Sequence, residues 1–147
     1  MANIVYNQGH AEWLDPATAP GVGDWEVLLE RSTSTYSPDK DDTSLLDKSG
    51  WVEISVFTYV RQNVAGPTWT AVHASDLVKV DINDVAFGNL EAGQTVLSII
   101  VARNDAGNYV PFLRLDTDSG SLLPRALGGG AFTVQINASG LLTLAQA

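Results

Sequence analysis

A chain of 147 residues is long enough for one domain with a substantial core. Its 17 acidic and 8 basic residues give a net charge of −9, which repels nucleic acid and anionic membranes, so we expect neither as a partner. The lack of cysteine excludes disulfides, thiol catalysis and thiolate metal sites. No segment approaches the roughly 18 apolar residues of a membrane-spanning helix, and no secretory signal pattern is present, so we expect synthesis and folding in the cytoplasm.

The first 15 residues are predicted to form an N-terminal arm ahead of a single domain, residues 16–147. Asn7 to Leu14 is predicted to be a short helix, because Asp15-Pro16 ends it. Several apolar residues of this arm precede the domain, so we expect the arm to contact another protein. The contact residues predicted in the arm are Ile4, Val5, Tyr6 and Trp13.

Alternation of apolar and polar residues predicts half-buried strands in four places. In the first of them, Trp25, Val27 and Leu29 lie on one face, and Glu26 and Glu30 lie on the other. The four segments are Trp25 to Arg31, Trp51 to Val60, Leu77 to Ile82 and Ala131 to Asn137.

The segment from Trp51 to Val60 has apolar residues on both of its predicted faces. The even positions from Val52 onward form one face, and Trp51, Phe57 and Tyr59 lie opposite. A strand with two apolar faces indicates an interface with another sheet or another subunit. We therefore predict Trp51, Phe57 and Tyr59 to be contact residues.

Two hairpins are predicted in the second half of the chain. Thr95 to Ala102 is apolar at nearly every position and is predicted to be a central strand covered on both faces. Tyr109 to Leu115 should pair with it across a turn, with an edge or bulge at Pro111, which cannot donate a ladder hydrogen bond. A closing hairpin is predicted between the Phe132 strand and the segment from Leu141 to Leu144.

Together these segments predict an all-β fold, a jelly-roll-like β-sandwich of about seven or eight antiparallel strands. One or two short helices accompany the strands, the second as a single turn between Asp41 and Asp47. Regular spacing of turns along the chain is typical of this class of fold.

No catalytic constellation emerges from the residue types. His73-Ala74-Ser75-Asp76 places three triad residue types on one short loop, where they cannot readily form a relay, and His10 is interpreted as a surface or contact residue. Clustered carboxylates lack the spacing of a calcium loop and are interpreted as turn residues. We predict no catalytic residue, no metal and no cofactor. The carboxylate clusters are Asp39/Asp41/Asp42, Asp81/Asp84 and Asp116/Asp118.

A series of short motifs follows the chain in a characteristic order. They are Gly9 to Asp15, the strand Trp25 to Arg31, Tyr36-Ser37-Pro38-Asp39, Tyr59-Val60-Arg61-Gln62, Asp84 to Leu90, and the closing segment Gly129 to Leu144. This order resembles a family of small structural proteins encoded among the head genes of tailed phages. Family members carry Gly-Thr-Gly before the Tyr-x-Arg-Gln motif, whereas this chain has Ser55-Val56-Phe57-Thr58.

The resemblance implies a capsid decoration protein, also called a cement protein, on the outside of a phage head. Its partners would be the major capsid protein and copies of itself, with a trimer at local three-fold positions. The alternative is a tail or head-fibre component, which could bind glycans through Trp69 in the loop from Gly66. A small hydrolase has the least support from the residues.

Overall fold

The computed structural model describes residues 4–19, 24–65, 68–72, 77–116, 123–136 and 142–145. These residues form antiparallel β-sheets and one short helix, which confirms the predicted all-β class. None of their helices is long and apolar enough to cross a membrane. The elements are β1 Ile4–Val5, α1 Asn7–Leu14, β2 Trp25–Arg31, β3 Gln62–Asn63, β4 Thr68–Val72, β5 Leu77–Asp81, β6 Val85–Asn89, β7 Thr95–Asp105, β8 Asn108–Leu115, β9 Arg125–Ala126, β10 Ala131–Val134 and β11 Leu142–Ala145.

The largest sheet has six strands and is built around β7. Its strand order is β1-β8-β7-β2-β3, and β9 also pairs with β7. Two smaller sheets, β10-β6 and β11-β5-β4, complete the described strands. The long-range pairings are all antiparallel, which is typical of β-sandwich proteins.

The hairpin between β7 and β8 forms where it is predicted. Its turn places Ala106 and Gly107 at φ values of 51° and 92°, the conformation of a two-residue turn that favours glycine. Beyond Val101, the register shifts so that Ala102 lies opposite Pro111. This shift confirms the predicted bulge at the proline.

Strand β7 is buried on both faces, as its composition predicts. On one face, the main sheet packs against the two smaller sheets, with Phe87, Val80 and Phe132 in the shared core. On the other face, residues 36–51 cover Leu28 and Ile100. That second covering layer contains turns rather than the predicted helical turn.

The N-terminal residues belong to the domain. Strand β1 pairs with β8, and α1 packs against β8 so closely that a Cβ at Gly9 would lie 2.0 Å from the carbonyl oxygen of Pro111. Trp13 stacks on Phe112 at 4.4 Å, and both Tyr6 and Trp13 are buried. The prediction that these two side chains contact a partner is wrong, because the main sheet itself buries them.

Two predicted strand arrangements are also wrong. The segment 51–60 forms only one isolated bridge, between Glu53 and Glu30. The N–H groups of Ser55 and Phe57 bond to side chains instead, and that of Tyr59 bonds to the carbonyl oxygen of Val56 within the segment. The closing hairpin does not form, since β10 pairs with β6 and β11 pairs with β5. Pairing with these distant strands places Phe132 and Val134 in the core.

Candidate functional site

The most exposed large apolar side chains of the described residues lie in one segment. Phe57 is 93% exposed and Val60 is 65% exposed. We call residues 55–60 the tip. Single exposed apolar residues are common on protein surfaces, so the exposure of Phe57 alone does not indicate a binding site.

The tip is fixed to the turn formed by residues 91–94. The backbone N–H of Ser55 donates to Gln94 Oε1 at 2.9 Å, and Gln94 Nε2 donates to Ser55 Oγ at 3.1 Å. The N–H of Phe57 donates to Glu91 Oε2 at 3.3 Å, and the N–H of Glu91 donates to Thr58 Oγ1 at 3.1 Å. These four hydrogen bonds cross between two turns and hold Phe57 in its exposed position.

A polar cluster supports the base of the tip. Arg61 donates to both carboxylate oxygens of Glu53, at 2.8 and 2.6 Å, and the Tyr59 hydroxyl donates to the same carboxylate at 2.6 Å. The Tyr59 oxygen also accepts the backbone N–H of Leu29 at 3.1 Å, which links the cluster to β2. Burial and the Glu53 carboxylate raise the pKa of Tyr59, so its hydroxyl remains a donor. Arg61 lies 4.2 Å from the centre of the Tyr109 ring.

The other predicted contact residues have different surroundings. Trp51 is half-buried, with its ring 5.9 Å from that of Tyr36 in an edge-to-face arrangement. Tyr59 is half-buried and stacks on Phe87 at 5.9 Å. Ile4 and Val5 are half-buried in β1. Among the seven predicted contact residues, Phe57 alone is a largely exposed side chain.

A second exposed apolar residue lies at the opposite end of the main sheet. Leu14, at the end of α1, is 49% exposed, and its helix is tied to β7 by the ion pair between Glu12 and Arg103. The tip is bonded to Gln94, immediately before β7 begins. Strand β7 has 11 residues, so the two ends are separated by roughly 33 Å.

The main sheet also contains a fully buried ion pair that alternation does not reveal. Arg114 Nε and Nη2 donate to Glu30 Oε2 at 3.0 and 2.8 Å, and the Ser98 hydroxyl donates to the same oxygen. Both charged side chains are 0% exposed. Alternation correctly places Glu30 opposite Leu29, but it does not show that residues 36–51 cover that face. The available signal was a single charge inside the apolar run from Phe112 to Leu115.

A chain of hydroxyl and charged groups attaches this covering layer to the sheet. The Tyr36 hydroxyl donates to Asp42 and lies 3.3 Å from the Tyr6 hydroxyl, and Lys48 forms an ion pair with Asp42. Burial acts to raise the pKa of Asp42, but hydrogen bonds from Lys48 and Tyr36 outweigh it, and the pKa is lowered. Burial raises the pKa of Tyr6 to about 12.

Two of the carboxylate clusters accept hydrogen bonds from backbone N–H groups. Asp39 Oδ1 accepts the N–H of Asp41 at 3.0 Å, and Asp84 Oδ1 accepts the N–H of Ile136 at 2.8 Å. The local contact confirms the interpretation of Asp39 as a turn residue, whereas Asp84 joins two segments that are distant in the sequence. In the part of the chain that the structure describes, no group of three or more His, Asp or Glu side chains could hold a metal ion. Asp118 lies outside the described residues.

The remaining candidates from the sequence have separate positions. His10 is half-buried on α1, with its ring 6.4 Å from that of Phe112. His73 and its neighbours to Asp76 lie outside the described residues, as does the side chain of Trp69. An open cleft of about 480 Å³ between β9 and β10 has Arg125 as the one ionisable residue among its described lining residues, so the described lining offers no acid–base pair.

Comparison with known proteins gives no identification. No protein-family model matches the chain, and no curated protein or solved structure is similar to it. The residues and their geometry make the tip the candidate site.

Proposed function

We propose that this chain is a non-catalytic capsid decoration protein of a tailed phage, which binds the major capsid protein on the outside of the head. The observation that carries the proposal is the exposure of Phe57 on a tip fixed by four hydrogen bonds. The order of the sequence motifs, with its resemblance to phage head proteins, supports the assignment to a phage particle.

A fixed, exposed aromatic residue is well suited to binding another protein. Aromatic side chains are frequent among the residues that contribute most to interface affinity. Holding such a residue in its bound position before association lowers the entropy that binding costs. Phe57 satisfies both conditions, because its backbone N–H is already bonded to Glu91 and the hydroxyl oxygen of its neighbour Thr58 accepts the Glu91 N–H.

The length of the main sheet fits a protein that bridges two capsid subunits. The tip and Leu14 are exposed apolar points near opposite ends of β7, a strand of 11 residues that spans roughly 33 Å. A sheet buried on both faces is a stiff connection between them. Repeated over many copies, modest contacts at each end would add up to a large stabilisation of the shell. In the proposed arrangement, a jelly-roll-like subunit forms trimers at local three-fold positions.

The test uses expanded, emptied phage heads that lack the protein. Purified protein is added over a range of concentrations, and the amount that sediments with the heads is measured. We expect saturable binding and an increase in the temperature at which the heads lose their integrity. Absence of binding by the wild-type protein contradicts the proposal. Labelling the protein on intact virions and imaging by electron microscopy distinguishes a head location from the tail location of the alternative.

A further inference from the structure

The charge around Phe57 indicates what kind of surface the tip would meet. Glu91 is exposed and accepts the Phe57 N–H, and it forms no ion pair with any described residue. The other carboxylate near the tip, Glu53, is neutralised by Arg61. The tip therefore combines an apolar ring with one uncompensated negative charge.

The basic residues of this chain offer little to balance that charge. At least five of its eight basic side chains form ion pairs with described residues, and Arg125 lies over the Phe132 ring at 4.2 Å. Arg31 is half-buried, and Lys40 is flanked by Asp39 and Asp41. A second copy would therefore bring few cations to the tip and a net charge of −9, which opposes contact between the tip and another copy of this chain. The five paired residues are Lys48, Arg61, Lys79, Arg103 and Arg114.

We infer that the tip docks into an apolar recess of the shell protein whose rim carries Lys or Arg side chains, and not onto a second copy of this chain. This inference rests on the proposed function and adds the chemistry of the partner surface. Phe57 would fill the recess, Val60 would lie at its edge, and Glu91 would face the basic rim. Complementary charge of this kind speeds association and excludes partners of the same sign.

The experiment compares variants for binding to the same emptied heads at low and high ionic strength. Phe57→Ala removes the ring, and Leu46→Ala is its matched control, because Leu46 is 47% exposed in the covering layer. Glu91→Gln removes the charge but keeps an oxygen that can accept the Phe57 N–H. Its matched control is Asp47→Asn, which removes an exposed carboxylate of the covering layer, next to Leu46.

We expect Phe57→Ala to weaken binding by about 30-fold, the effect of losing a central interface residue. Glu91→Gln should weaken it about fivefold at low ionic strength, and the difference from wild type should disappear at high salt. Both controls should bind like the wild type. Circular dichroism and thermal unfolding establish that each variant is folded.

The outcomes separate this inference from the proposed function. If the wild-type protein does not bind, the proposed function fails. If it binds, and Phe57→Ala binds equally well, the tip is not the docking surface. If Glu91→Gln matches the wild type at low ionic strength, the basic rim is refuted. Loss of self-association in Phe57→Ala, with shell binding intact in sedimentation, would show that the tip contacts a second copy and would also overturn the inference.

Discussion

The buried pair between Glu30 and Arg114 gives the sharpest test of how this fold is stabilised. Both side chains are 0% exposed and lie on β2 and β8, which flank β7 in the main sheet. Replacing Arg114 with Met leaves a carboxylate in the interior without its countercharge. Breaking a buried pair from one side costs about 3–5 kcal/mol, a large fraction of the 5–15 kcal/mol typical of whole domains.

The magnitude can be measured by urea unfolding followed by tryptophan fluorescence. For a chain of this length, each kcal/mol lost from the free energy of unfolding lowers the melting temperature by about 2–4 °C. Arg114→Met should therefore lower the melting temperature by about 6–20 °C. The double variant Glu30→Met with Arg114→Met removes both charges. It should recover most of the loss, because an apolar pair of similar volume often replaces a buried ion pair at little cost. Ser98 loses its acceptor in the double variant, so a residual deficit of about 1 kcal/mol is expected.

The partly exposed pair between Arg61 and Glu53 is the control. Arg61→Met should cost about 1 kcal/mol or less, because solvent screens this pair. A loss below 1 kcal/mol in Arg114→Met would refute the reasoning. The reasoning would also be refuted if the double variant lost as much free energy of unfolding as Glu30→Met and Arg114→Met lose together. Additive losses would mean that the Glu30 and Arg114 side chains are not energetically coupled.

Three further outcomes follow from the geometry. Gly9→Ala should lower the free energy of unfolding, measured by urea denaturation, by about 3 kcal/mol, because its Cβ would overlap the backbone of β8. The control Gly128→Ala has open space around the new Cβ and should change the free energy of unfolding by less than about 0.5 kcal/mol. The pKa values of all four tyrosines are raised, so the fold favours their neutral form. The free energy of unfolding should therefore be at its full value below about pH 10 and fall as the pH rises through the value of about 12 for Tyr6, by up to about 1.4 kcal/mol per pH unit for each tyrosine. Phenolate absorbance that appears near pH 10 in the native protein would contradict this. Gln94→Ala should reduce binding to emptied heads several-fold while changing the melting temperature little, because both of its side-chain hydrogen bonds hold Ser55 in the tip and neither involves the core. Binding equal to the wild type would show that these bonds are not needed to position Phe57.

Local patterns were sufficient to predict the strands that pair with their neighbours in sequence. The 11-residue β7 and the following β8 have the composition of a buried strand and a strand with a bulge at Pro111, and both predictions are confirmed. The helix Asn7–Leu14 is also confirmed, because Asp15-Pro16 gives a clear end. These features depend on residues close together in the chain, where side-chain type and backbone geometry decide the structure.

The wrong predictions concern features that depend on contacts between segments distant in the sequence. Alternation in residues 51–60 predicts a strand, but the side chains of Glu91 and Gln94 accept the backbone N–H groups of Phe57 and Ser55, which a strand partner would otherwise bind. The same pattern predicts that Glu30 faces solvent, whereas the layer from Tyr36 to Trp51 covers it. Sequence periodicity records which residues share a face. It does not show which residues cover that face. The buried ion pair and the fixed tip could therefore be recognised only in the three-dimensional structure.

The separation of the tip from the core makes its role testable. The groups that hold Phe57 are exposed or half-buried side chains on two turns, and each such hydrogen bond adds only about 1 kcal/mol to stability. The core around Ile99 and Phe112, by contrast, is fully buried and does not involve the Phe57 ring. Removal of that ring therefore leaves the fold intact, and a binding defect in Phe57→Ala reports a lost contact with the partner rather than a loss of structure.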